Sequence, residues 1–439
     1  MLNTAGEMLG LTVKGALRIG QTGGVLAGTG VSWLLGDRPP TPRLVRQTFE
    51  RLGATYIKLG QLIASSPSMF PEAWVAEFQH CLDQTTPLPW KTVRKALKQE
   101  LGSRLESEFL WVDPEPLASA SIAQVHAARL KSGEDVVLKV RKPGVQKVIV
   151  TDLNLLHLAA RVTERVTPGA AHASLAAIVE EIQGSMMEEC DFLREAANIE
   201  AFRDYLDETL NTRAVAPRVY PKLSTARVLT MERFFGVPLT DAEGLRRCTD
   251  DPEELLLNAL NTWFGSLMHC RTFHADLHAG NLMALRDGRV GFIDFGIVGR
   301  IREETWKAMF ALAEGLPKGD FTAVAEGLAT MGATRDGVDT ARLAADLEAL
   351  FRRLDLAPPA PGADHGHAAY DEPPEDEDLN RALMDLVAVG RRHGIRFPRE
   401  FTLLVKQFLY FDRYIRMLAP DLALFGDPRV NALPPSMHG

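Results

Sequence analysis

Residues 273–283 read FHADLHAGNLM and place two histidines, one aspartate and one asparagine within eight residues, from His274 to Asn281. Polar groups are costly to bury beside apolar neighbours unless each one is hydrogen-bonded or has a chemical role. Three roles are open to this stretch: holding a metal, relaying protons, or handling a phosphate. The residues around it distinguish between these roles.

The metal interpretation depends on His274 and His278, whose spacing of four residues is a zinc spacing when both lie on one helix. Gly280 and a predicted hairpin follow at once, so a helix is not expected here. A third ligand is also needed. The two histidines of residues 355–378 lie in a segment whose Pro, Ala, Asp and Glu content predicts a mobile acidic insertion. The pattern therefore disfavours zinc.

The phosphate interpretation has more support, because protein kinases carry the pattern H-R-D-L-x-x-x-N. The matching positions in this chain are His274, Asp276, Leu277 and Asn281. A predicted hairpin at 282–294, with Asp287-Gly288 as its tight turn, leads to the tripeptide D-F-G at 294–296. Asn281 and Asp294 can supply the oxygen ligands that Mg²⁺ prefers, and Asp276 can orient an attacking hydroxyl or water or accept its proton.

A kinase-like site also needs a lysine on a strand that pairs with a glutamate on a helix. Residues 122–140 alternate like two strands around a turn at 131–133, and the second strand, VVLKV at 136–140, carries Lys139. The apolar neighbours of Lys139 favour a buried, paired lysine over a solvated lysine on a strand edge. A long helical pattern over 173–206 contains EECDFLREAAN and supplies the acidic partner.

One expected part of such a site is missing, because no G-x-G-x-x-G precedes Lys139 and no G-x-x-x-x-G-K occurs in the chain. PLASASIAQVH at 116–126 stands in its place. Alanine and serine keep the backbone farther from a phosphate than glycine does. A second unusual feature is IKLGQ at 57–61, a K-x-G-Q sequence far upstream of the hairpin.

The whole chain has 439 residues, which is too long for one compact core and predicts two or three domains. Its composition, 46% hydrophobic and 24% charged, is that of a soluble globular protein, and no secretory signal peptide is predicted. The net charge of −8 argues against a nucleic-acid partner, because phosphate backbones are bound by basic faces. Four scattered cysteines without C-x-x-C indicate reduced thiols of a cytosolic protein.

The predicted elements mix helices with short strands. Helices are predicted at 41–66, 72–83 and about 90–110, before the hairpin at 122–140, the long helix at 173–206 and a short strand at 226–232. They predict an α+β, protein-kinase-like fold with a small antiparallel-sheet lobe, a mostly helical large lobe and an added helical N-terminal region. The predicted regions are 1–90 with the K-x-G-Q element, 91–235 as the small lobe, and 236–439 as the large lobe with the insertion at 355–378.

The N-terminus combines an apolar run with basic charge. Residues 19–36 carry no charged side chain, and at 18 residues they are barely long enough for a membrane helix. Six of them are glycine, which weakens a helix, so a loosely packed amphipathic helix is expected instead. Residues 1–60 hold seven basic and three acidic side chains, a local charge of +4 (7 − 3). Such a segment predicts peripheral contact with an anionic membrane surface.

Several motifs occur together: K-x-G-Q, the alanine-rich loop ending in QVH, E-C-D followed by E-A-A-N, H-A-D-x-H-x-G-N and D-F-G. In combination, over about residues 40–300, they resemble the UbiB/ADCK family of atypical kinases. The resemblance implies a kinase-like fold, ATP or ADP bound with Mg²⁺, ATPase or phosphotransferase activity, and support of ubiquinone or other prenyl-lipid biosynthesis at membranes. The chain has ASAS where an AAAS-like run is usual. It lacks the apolar C-terminal spans of some bacterial members, so integral anchoring is not expected.

The resemblance also implies roles for particular residues. Lys139, Glu195 and Asp276 are expected to be catalytic, and Asn281 and Asp294 are expected to bind the metal. The residues expected to contact the nucleotide are Ala118, Ser119, Ala120, Ser121, Lys139, Met231 and Glu232. An element that covers the active site and blocks a protein substrate is expected to include the regulatory residues Lys58, Gln61, Glu189 and Asp191.

Helix geometry favours two separate ion pairs. Asp191 and Glu195 are four residues apart and share a face of a continuous helix. Glu189 and Glu195 are six apart and point about 120° away from each other, so one straight helix cannot aim both at one cation. The predicted pairs are Glu195 with Lys139 and Glu189 with Lys58. The alternative is that Glu189 and its neighbour are simply solvated.

The predicted partners are an anionic membrane surface and proteins of prenyl-lipid biosynthesis, with no nucleic acid; the oligomeric state is open, with a homodimer as one state. The predicted location is the cytoplasm, peripherally at the inner face of the plasma membrane. Two alternatives remain: a small-molecule phosphotransferase of the aminoglycoside-kinase type, with a related H-x-D loop, and a non-catalytic nucleotide-binding scaffold. The K-x-G-Q and E-C-D elements disfavour the first. The presence of Asp276, Asn281 and Asp294 disfavours the second.

Overall fold

The computed structural model describes residues 20–21, 24–25, 40–64, 72–78, 85–166, 175–270, 272–278, 280–332, 337–353, 385–386, 388–395, 397–420, 422 and 427–430. The described residues divide into two compact units. The first comprises the chain up to Ala197 together with Arg218–Arg233, and the second comprises Asn198–Pro217 together with the chain from Phe234 onward. The predicted insertion at 355–378 lies outside the described residues, as does 19–36 apart from 20–21 and 24–25.

The described residues form both helices and short strands, in agreement with the predicted α+β class. The strands are β1 (Phe109–Ser119), β2 (Ala123–Leu130), β3 (Asp135–Arg141), β4 (Ala214–Val215), β5 (Val228–Glu232), β6 (Gly236–Pro238), β7 (Thr272–His274), β8 (Leu282–Leu285), β9 (Val290–Phe292) and β10 (Val298–Arg300). The main helices are α1 (Thr41–Leu52), α2 (Ala54–Ala64), α3 (Glu72–Phe78), α4 (Trp90–Leu101), α5 (Arg104–Glu108), α6 (Val145–Val166), α7 (Leu175–Glu189), α8 (Phe192–Glu208), α9 (Ala242–Leu245), α10 (Pro252–Cys270), α11 (Glu303–Lys318), α12 (Phe321–Gly332), α13 (Thr340–Arg353) and α14 (Arg399–Leu418).

The first unit is built on an antiparallel sheet with the strand order β1-β2-β3-β5. The predicted hairpin of β2 and β3 turns at Gly133, whose φ of 108° lies in the left-handed region that favours glycine. Lys139 of β3 pairs with Val125 on one side and Leu229 on the other. It therefore lies on a central strand, which excludes the solvated edge lysine.

Helix α4 packs on one face of this sheet. Its stripe of Val93, Leu97 and Leu101 is buried with Leu138 and Val140 of β3. This burial stabilises the unit, because apolar area removed from water contributes about 25 cal/mol per Å². Successive side chains of a strand point to opposite faces, so the burial of Leu138 and Val140 under α4 directs Lys139 to the other face of the sheet.

Two of the predicted helices end earlier than expected, at glycines. The helix predicted at 41–66 divides into α1 and α2 at Gly53, whose φ is 95°. The helix predicted to about 110 ends at Gly102, with φ 59°, before α5 and β1. The sequence does not predict β1, because its two prolines interrupt the alternation of apolar and polar residues. The register of β1 with β2 is correspondingly irregular. Of the helix predicted at 72–83, the structure describes the part from Glu72 to Phe78, which is α3.

The long helix predicted at 173–206 is wrong as one element, because α7 and α8 are separate helices that divide at Cys190 and Asp191. Asp191 caps α8, since its Oδ1 accepts a hydrogen bond from the Leu193 N–H at 3.1 Å. Arg141 donates a hydrogen bond to the Cys190 carbonyl, which the break leaves without a helical partner. The periodicity does not mark this break, because apolar positions continue on both sides of it.

The second unit contains two small sheets and many of the helices. β8 and β9 form the predicted hairpin, with Gly288 at φ 82° in its turn, and they lie between β4 and β6. β7 pairs with β10. Helix α10 is largely buried around Trp263, and α11, α12 and α13 contribute to a separate apolar core. Across the described ranges, no helix is both long enough and apolar enough to span a membrane.

Candidate functional site

In the first unit, Lys139 and Glu195 form one of the predicted ion pairs. The Lys139 Nζ lies 2.8 Å from Glu195 Oε1 and 2.9 Å from Oε2, so both carboxylate oxygens hold the ammonium. Glu195 lies in the first turn of α8 with a side chain only 3% exposed, against 12% for Lys139. The Phe192 ring centroid is 5.5 Å from the same ammonium. Buried charges persist when they are paired, so each side chain fixes the position of the other.

The alanine-rich sequence forms the turn between β1 and β2. Ala118 and Ser119 end β1, and Ala120 and Ser121 make the turn, which a 2.8 Å hydrogen bond from the Ala120 N–H to the Ala123 carbonyl closes. The four predicted nucleotide-contacting residues of this sequence are therefore consecutive, two at the end of β1 and two in the turn that leads to β2. Their contact with a nucleotide stays a prediction.

Thr85, just ahead of α4, holds this turn. Its N–H donates to the Ser119 carbonyl at 3.0 Å, and its hydroxyl donates to the Ala120 carbonyl at 2.7 Å. Lys142 Nζ donates to the same hydroxyl at 2.6 Å. These bonds give the turn a defined backbone shape without the glycines of an ordinary phosphate-binding loop.

Gln124 and His126 of the QVH sequence are buried and structural. Gln124 Oε1 accepts from the Leu88 N–H at 2.6 Å, and His126 Nδ1 lies 2.8 Å from the Asp113 carbonyl. The Gln124 amide nitrogen is 3.4 Å from His126 Nε2. These partners require a neutral ring with its proton on Nδ1. Burial lowers the pKa of His126, which keeps the ring neutral.

Met231 and Glu232 end β5, beside β3. Met231 is buried and pairs with Val137, and Glu232 pairs with Val136. Glu232 Oε2 accepts a hydrogen bond from the Arg218 N–H at 3.1 Å. A nucleotide contact by either residue stays a prediction.

Lys58 and Glu189 form the second predicted ion pair, with 2.9 Å between Nζ and Oε2, so Glu189 is not simply solvated. Gln61 lies about one turn further along α2 and is half-buried. Leu59 of the same helix packs against an apolar cluster that includes Ile122, the residue after the alanine-rich turn. Helix α2 is therefore attached to α7 and to the base of that turn. The regulatory roles stay predictions for Lys58, Gln61, Glu189 and Asp191.

In the second unit, His274 holds the loop between β7 and β8. Its Nδ1 accepts from the Asp276 N–H at 3.2 Å, and its Nε2 lies 3.0 Å from the Ile293 carbonyl. Both contacts are satisfied by a neutral ring with its proton on Nε2. The ring is buried, burial lowers its pKa, and Phe295 packs edge-on with centroids 4.7 Å apart. Because both nitrogens are used in these contacts, His274 is a structural link between the loop and Ile293, the residue after β9.

Asn281 and Asp294 lie at the same end of the β8–β9 hairpin. The Ile293 N–H donates to the Asn281 carbonyl at 3.0 Å, directly before Asp294. Asn281 Nδ2 donates to the Asp276 carbonyl at 2.8 Å, which turns Oδ1 away from that carbonyl. Asp294 has a φ of 59°, a left-handed conformation that is uncommon for residues other than glycine, although aspartate adopts it more readily than most. Its Oδ1 accepts from the Gly296 N–H at 3.3 Å. Such strain concentrates at functional sites.

Asn198, the last residue of E-A-A-N, anchors the D-F-G tripeptide. Its Nδ2 donates to the Phe295 carbonyl at 3.0 Å, and Phe202 of the same helix packs on the buried Phe295 ring with centroids 5.1 Å apart. The sequence contains this motif, but its spacing alone does not assign a task to Asn198.

Asp276 is paired with a lysine that no sequence motif identifies. Lys406 Nζ of α14 lies 2.9 Å from Asp276 Oδ1, with side chains 17% and 21% exposed. His278 Nε2 lies 3.9 Å from Oδ2 of the same carboxylate. Lys406 is 130 residues from Asp276 in sequence, so only the fold brings the two together.

The oxygen donors of the second unit suit Mg²⁺. Asn281 offers an amide oxygen and Asp294 a carboxylate, and nucleotide-bound Mg²⁺ takes its remaining ligands from phosphates and water. In the portion of the chain that the structure describes, no group of three or more His, Cys, Asp or Glu side chains is arranged to hold a metal.

The paired strand lysine, the H-x-D loop and the D-F-G hairpin define a chain of the protein-kinase-like class. Comparison with known families supports this class. Residues 80–328 match the ABC1 atypical kinase-like domain, and residues 363–423 match the UbiB helical domain. The chain belongs to the ABC1/UbiB family of atypical kinase-like proteins, which confirms the resemblance found in the sequence.

Relatives of this chain carry kinase names. An uncharacterized aarF domain-containing protein kinase of Arabidopsis thaliana, chloroplastic, is 49% identical over 401 residues, which cover 89% of this chain and 74% of the relative. A probable protein kinase UbiB of Pseudomonas aeruginosa is 31% identical over 385 residues, covering 87% of this chain and 69% of the relative. A solved complex of a Mycobacterium tuberculosis protein with erythromycin is similar over 84% of this chain and 92% of that chain, with 22% identity and a TM-score of 0.47.

Proposed function

We propose that this chain binds ATP or ADP with Mg²⁺ and cleaves or transfers the terminal phosphate of ATP. The observation that supports this most directly is the end of the β8–β9 hairpin, where Asn281 and the strained Asp294 adjoin the loop that carries Asp276. Uncommon backbone conformations persist where the surrounding structure enforces them, and they cluster at active sites. Membership of the atypical kinase-like family supports the same function.

Each site residue then has a distinct task. Lys139 would bind nucleotide phosphates, and Glu195 would keep its ammonium in place. Asp276 would orient an attacking hydroxyl or water, or accept its proton. Asn281 and Asp294 would hold Mg²⁺, which supplies positive charge to the phosphate oxygens. The other residues proposed to contact the nucleotide are Ala118, Ser119, Ala120, Ser121, Met231 and Glu232.

We also propose that α2 restrains this activity. Lys58 binds Glu189, and Leu59 packs beside Ile122 at the base of the alanine-rich turn, so a movement of α2 would be transmitted to that turn. Gln61 lies on the same helix, and Asp191 caps the helix that carries Glu195. Release of the Lys58–Glu189 pair would therefore change access to the turn.

We place the activity at an anionic membrane surface, in the biosynthesis or transport of ubiquinone or another prenyl-lipid. The support is the +4 charge of residues 1–60, the apolar run at 19–36 and the relative named UbiB. Flotation with anionic liposomes tests the location: binding is expected to weaken as salt rises. Binding that resists both high salt and alkaline carbonate would indicate an integral helix instead.

The catalytic proposal is tested with Asp294→Asn and with Asp287→Asn, which lies at the exposed turn of the same hairpin and serves as the control. Nucleotide at a hundredfold its Kd stabilises a protein by about 2.7 kcal/mol. We expect Asp294→Asn to lose this Mg²⁺-nucleotide stabilisation in thermal unfolding and to lose ATP hydrolysis, because amides bind Mg²⁺ poorly. The control should keep both. Wild-type-like nucleotide stabilisation in Asp294→Asn would remove the residue from the metal site.

A further inference from the structure

Helix α14 carries a buried glutamine that is matched to the backbone of the loop after β7. Gln407 Oε1 accepts from the Leu277 N–H at 2.8 Å, and Gln407 Nε2 donates to the Ala275 carbonyl at 2.8 Å. The side chain is fully buried. A buried amide is costly unless it is hydrogen-bonded, and here the loop supplies both an acceptor and a donor. Gln407 therefore binds the two residues that flank Asp276.

Tyr414 extends the same contact by two helical turns. Its hydroxyl donates to the Leu277 carbonyl at 2.8 Å, and the side chain is buried. Burial raises the pKa of Tyr414, so the hydroxyl keeps its proton and remains a donor. Gln407 and Tyr414 are seven residues apart, which places them on one face of α14.

Lys406, the neighbour of Gln407, reaches the side chain of the loop rather than its backbone. Its Nζ lies 2.9 Å from Asp276 Oδ1 and 5.5 Å from the centroid of the Tyr410 ring. Asp276 Oδ2 is the oxygen on the side of His278, at 3.9 Å. One carboxylate oxygen is thus held by α14, and the other is oriented by that contact.

We infer that Lys406 is a positioning residue for Asp276, and that α14, through Gln407 and Tyr414, clamps the loop that carries it. The inference deepens the proposed phosphoryl-transfer function and rests on it. It assigns a task to the region that matches the UbiB helical domain, residues 363–423, because α14 lies within that region. A carboxylate must meet the attacking oxygen in one orientation, and a misplacement of about 1 Å can cost about a hundredfold in rate.

Steady-state ATP hydrolysis with Mg²⁺ by the full chain tests the positioning role. Lys406→Met is expected to lower kcat by about 10–100-fold, with KM changed by less than about threefold, because nucleotide binding does not depend on Asp276. Lys406→Arg restores a cation and should recover part of the rate. Arg413→Met is the matched control, since it removes an exposed cation from the same helix.

The double variant Lys406→Met/Asp276→Asn separates positioning from general structural damage. If Lys406 acts through Asp276, the double variant turns over within about threefold of Asp276→Asn alone, because contacting residues are not additive. An equal loss from Lys406→Met in both backgrounds would overturn the positioning role. So would a wild-type kcat in Lys406→Met.

Hydrogen exchange without nucleotide tests the clamp independently of activity. Amide exchange in residues 273–283 is expected to accelerate several-fold in Lys406→Met and in Tyr414→Phe, which removes one hydroxyl and keeps the ring, but not in Arg413→Met. Unchanged exchange in both variants would overturn the clamp. If the wild-type chain hydrolyses no ATP, the proposed function fails, while the exchange result still decides whether α14 holds the loop.

Discussion

The first unit contains two lysine–glutamate ion pairs whose surroundings differ. Lys139 lies on a central strand, and both oxygens of the nearly fully buried Glu195 hold its ammonium. Lys58 lies on a helix with its Nζ 2.9 Å from Glu189 Oε2, and these two side chains are 17% and 15% exposed. The chemical groups are the same in the two pairs, but the first joins a central strand to a helix and the second joins two helices.

This difference indicates which pair can open. Separating Lys139 from Glu195 leaves a charge in the interior, where water does not replace the lost partner. Lys58 and Glu189 are already partly exposed, so both can be hydrated after a small movement of α2. The first pair therefore suits a permanent part of the site, and the second suits a restraint that can be released.

The largest expected effect comes from breaking the buried pair. Lys139→Met leaves the Glu195 carboxylate without its counterion, and we expect unfolding by urea to show a loss of about 3–5 kcal/mol. The same variant should lose nucleotide-induced stabilisation. Replacing both partners, in Lys139→Met/Glu195→Met, should recover most of the stability, because two apolar side chains leave no buried charge. A single variant as stable as wild type would contradict the burial of this pair.

Breaking the helix–helix pair should have a smaller effect on stability and the opposite effect on activity. Lys58→Ala is expected to lower the free energy of unfolding by about 1–2 kcal/mol, since its partner can be hydrated. ATP turnover or autophosphorylation should rise, or change in kind, because α2 is loosened. Phosphate release and phosphate incorporation are the measurements.

Further variants test whether this effect comes from the Lys58–Glu189 pair. Glu189→Ala should reproduce the effect of Lys58→Ala, whereas Glu188→Ala, next to it and in an exposed pair with Arg194, should leave turnover unchanged. Asp276→Asn added to Lys58→Ala should suppress the increase. If neither Lys58→Ala nor Glu189→Ala differs from wild type, the pair has no inhibitory role.

The smallest effect concerns His126, which is buried in the same sheet with its Nδ1 2.8 Å from the Asp113 carbonyl. Burial lowers its folded-state pKa below the ordinary value near 6.5, so above that pH both folded and unfolded states are neutral and its full contribution is present. As pH falls below about 6.5, the unfolded chain binds a proton and the folded chain does not. Stability is then lost by up to about 1.4 kcal/mol per pH unit until the folded pKa is reached.

Urea unfolding at pH 7.5 and 5.5 measures this slope. The fall in stability between the two values should be smaller in His126→Gln than in wild type. Equal falls in the two proteins would mean that the His126 ring is protonated in the folded state as readily as in the unfolded state.

The β8–β9 hairpin and the strand lysine could be predicted from sequence because their signals are local. The turns at Gly133 and Gly288 need φ values that glycine adopts easily. The strands that flank them are short and pair directly across the turn. The break at Asp191 could not be predicted in this way. The Asp191 cap lies inside a pattern whose apolar positions continue on both sides, and the bond to the Cys190 carbonyl comes from Arg141 of β3, outside that pattern.

The sequence alone determined the kinase-like class. The H-x-D motif, the asparagine, the hairpin and D-F-G follow one another within about twenty residues, so their order can be recognised without the rest of the fold. The prediction of separate lysines assumed one continuous helix through Glu189 and Glu195; the break between α7 and α8 removes that premise, although both predicted pairs form. Tertiary structure alone decided that Lys406 holds Asp276 and that Gln407 binds the loop, since 130 residues separate these partners and no spacing rule relates them. The physical reason is that a hydrogen bond acts over about 3 Å, and only packing brings distant segments of a chain within that range.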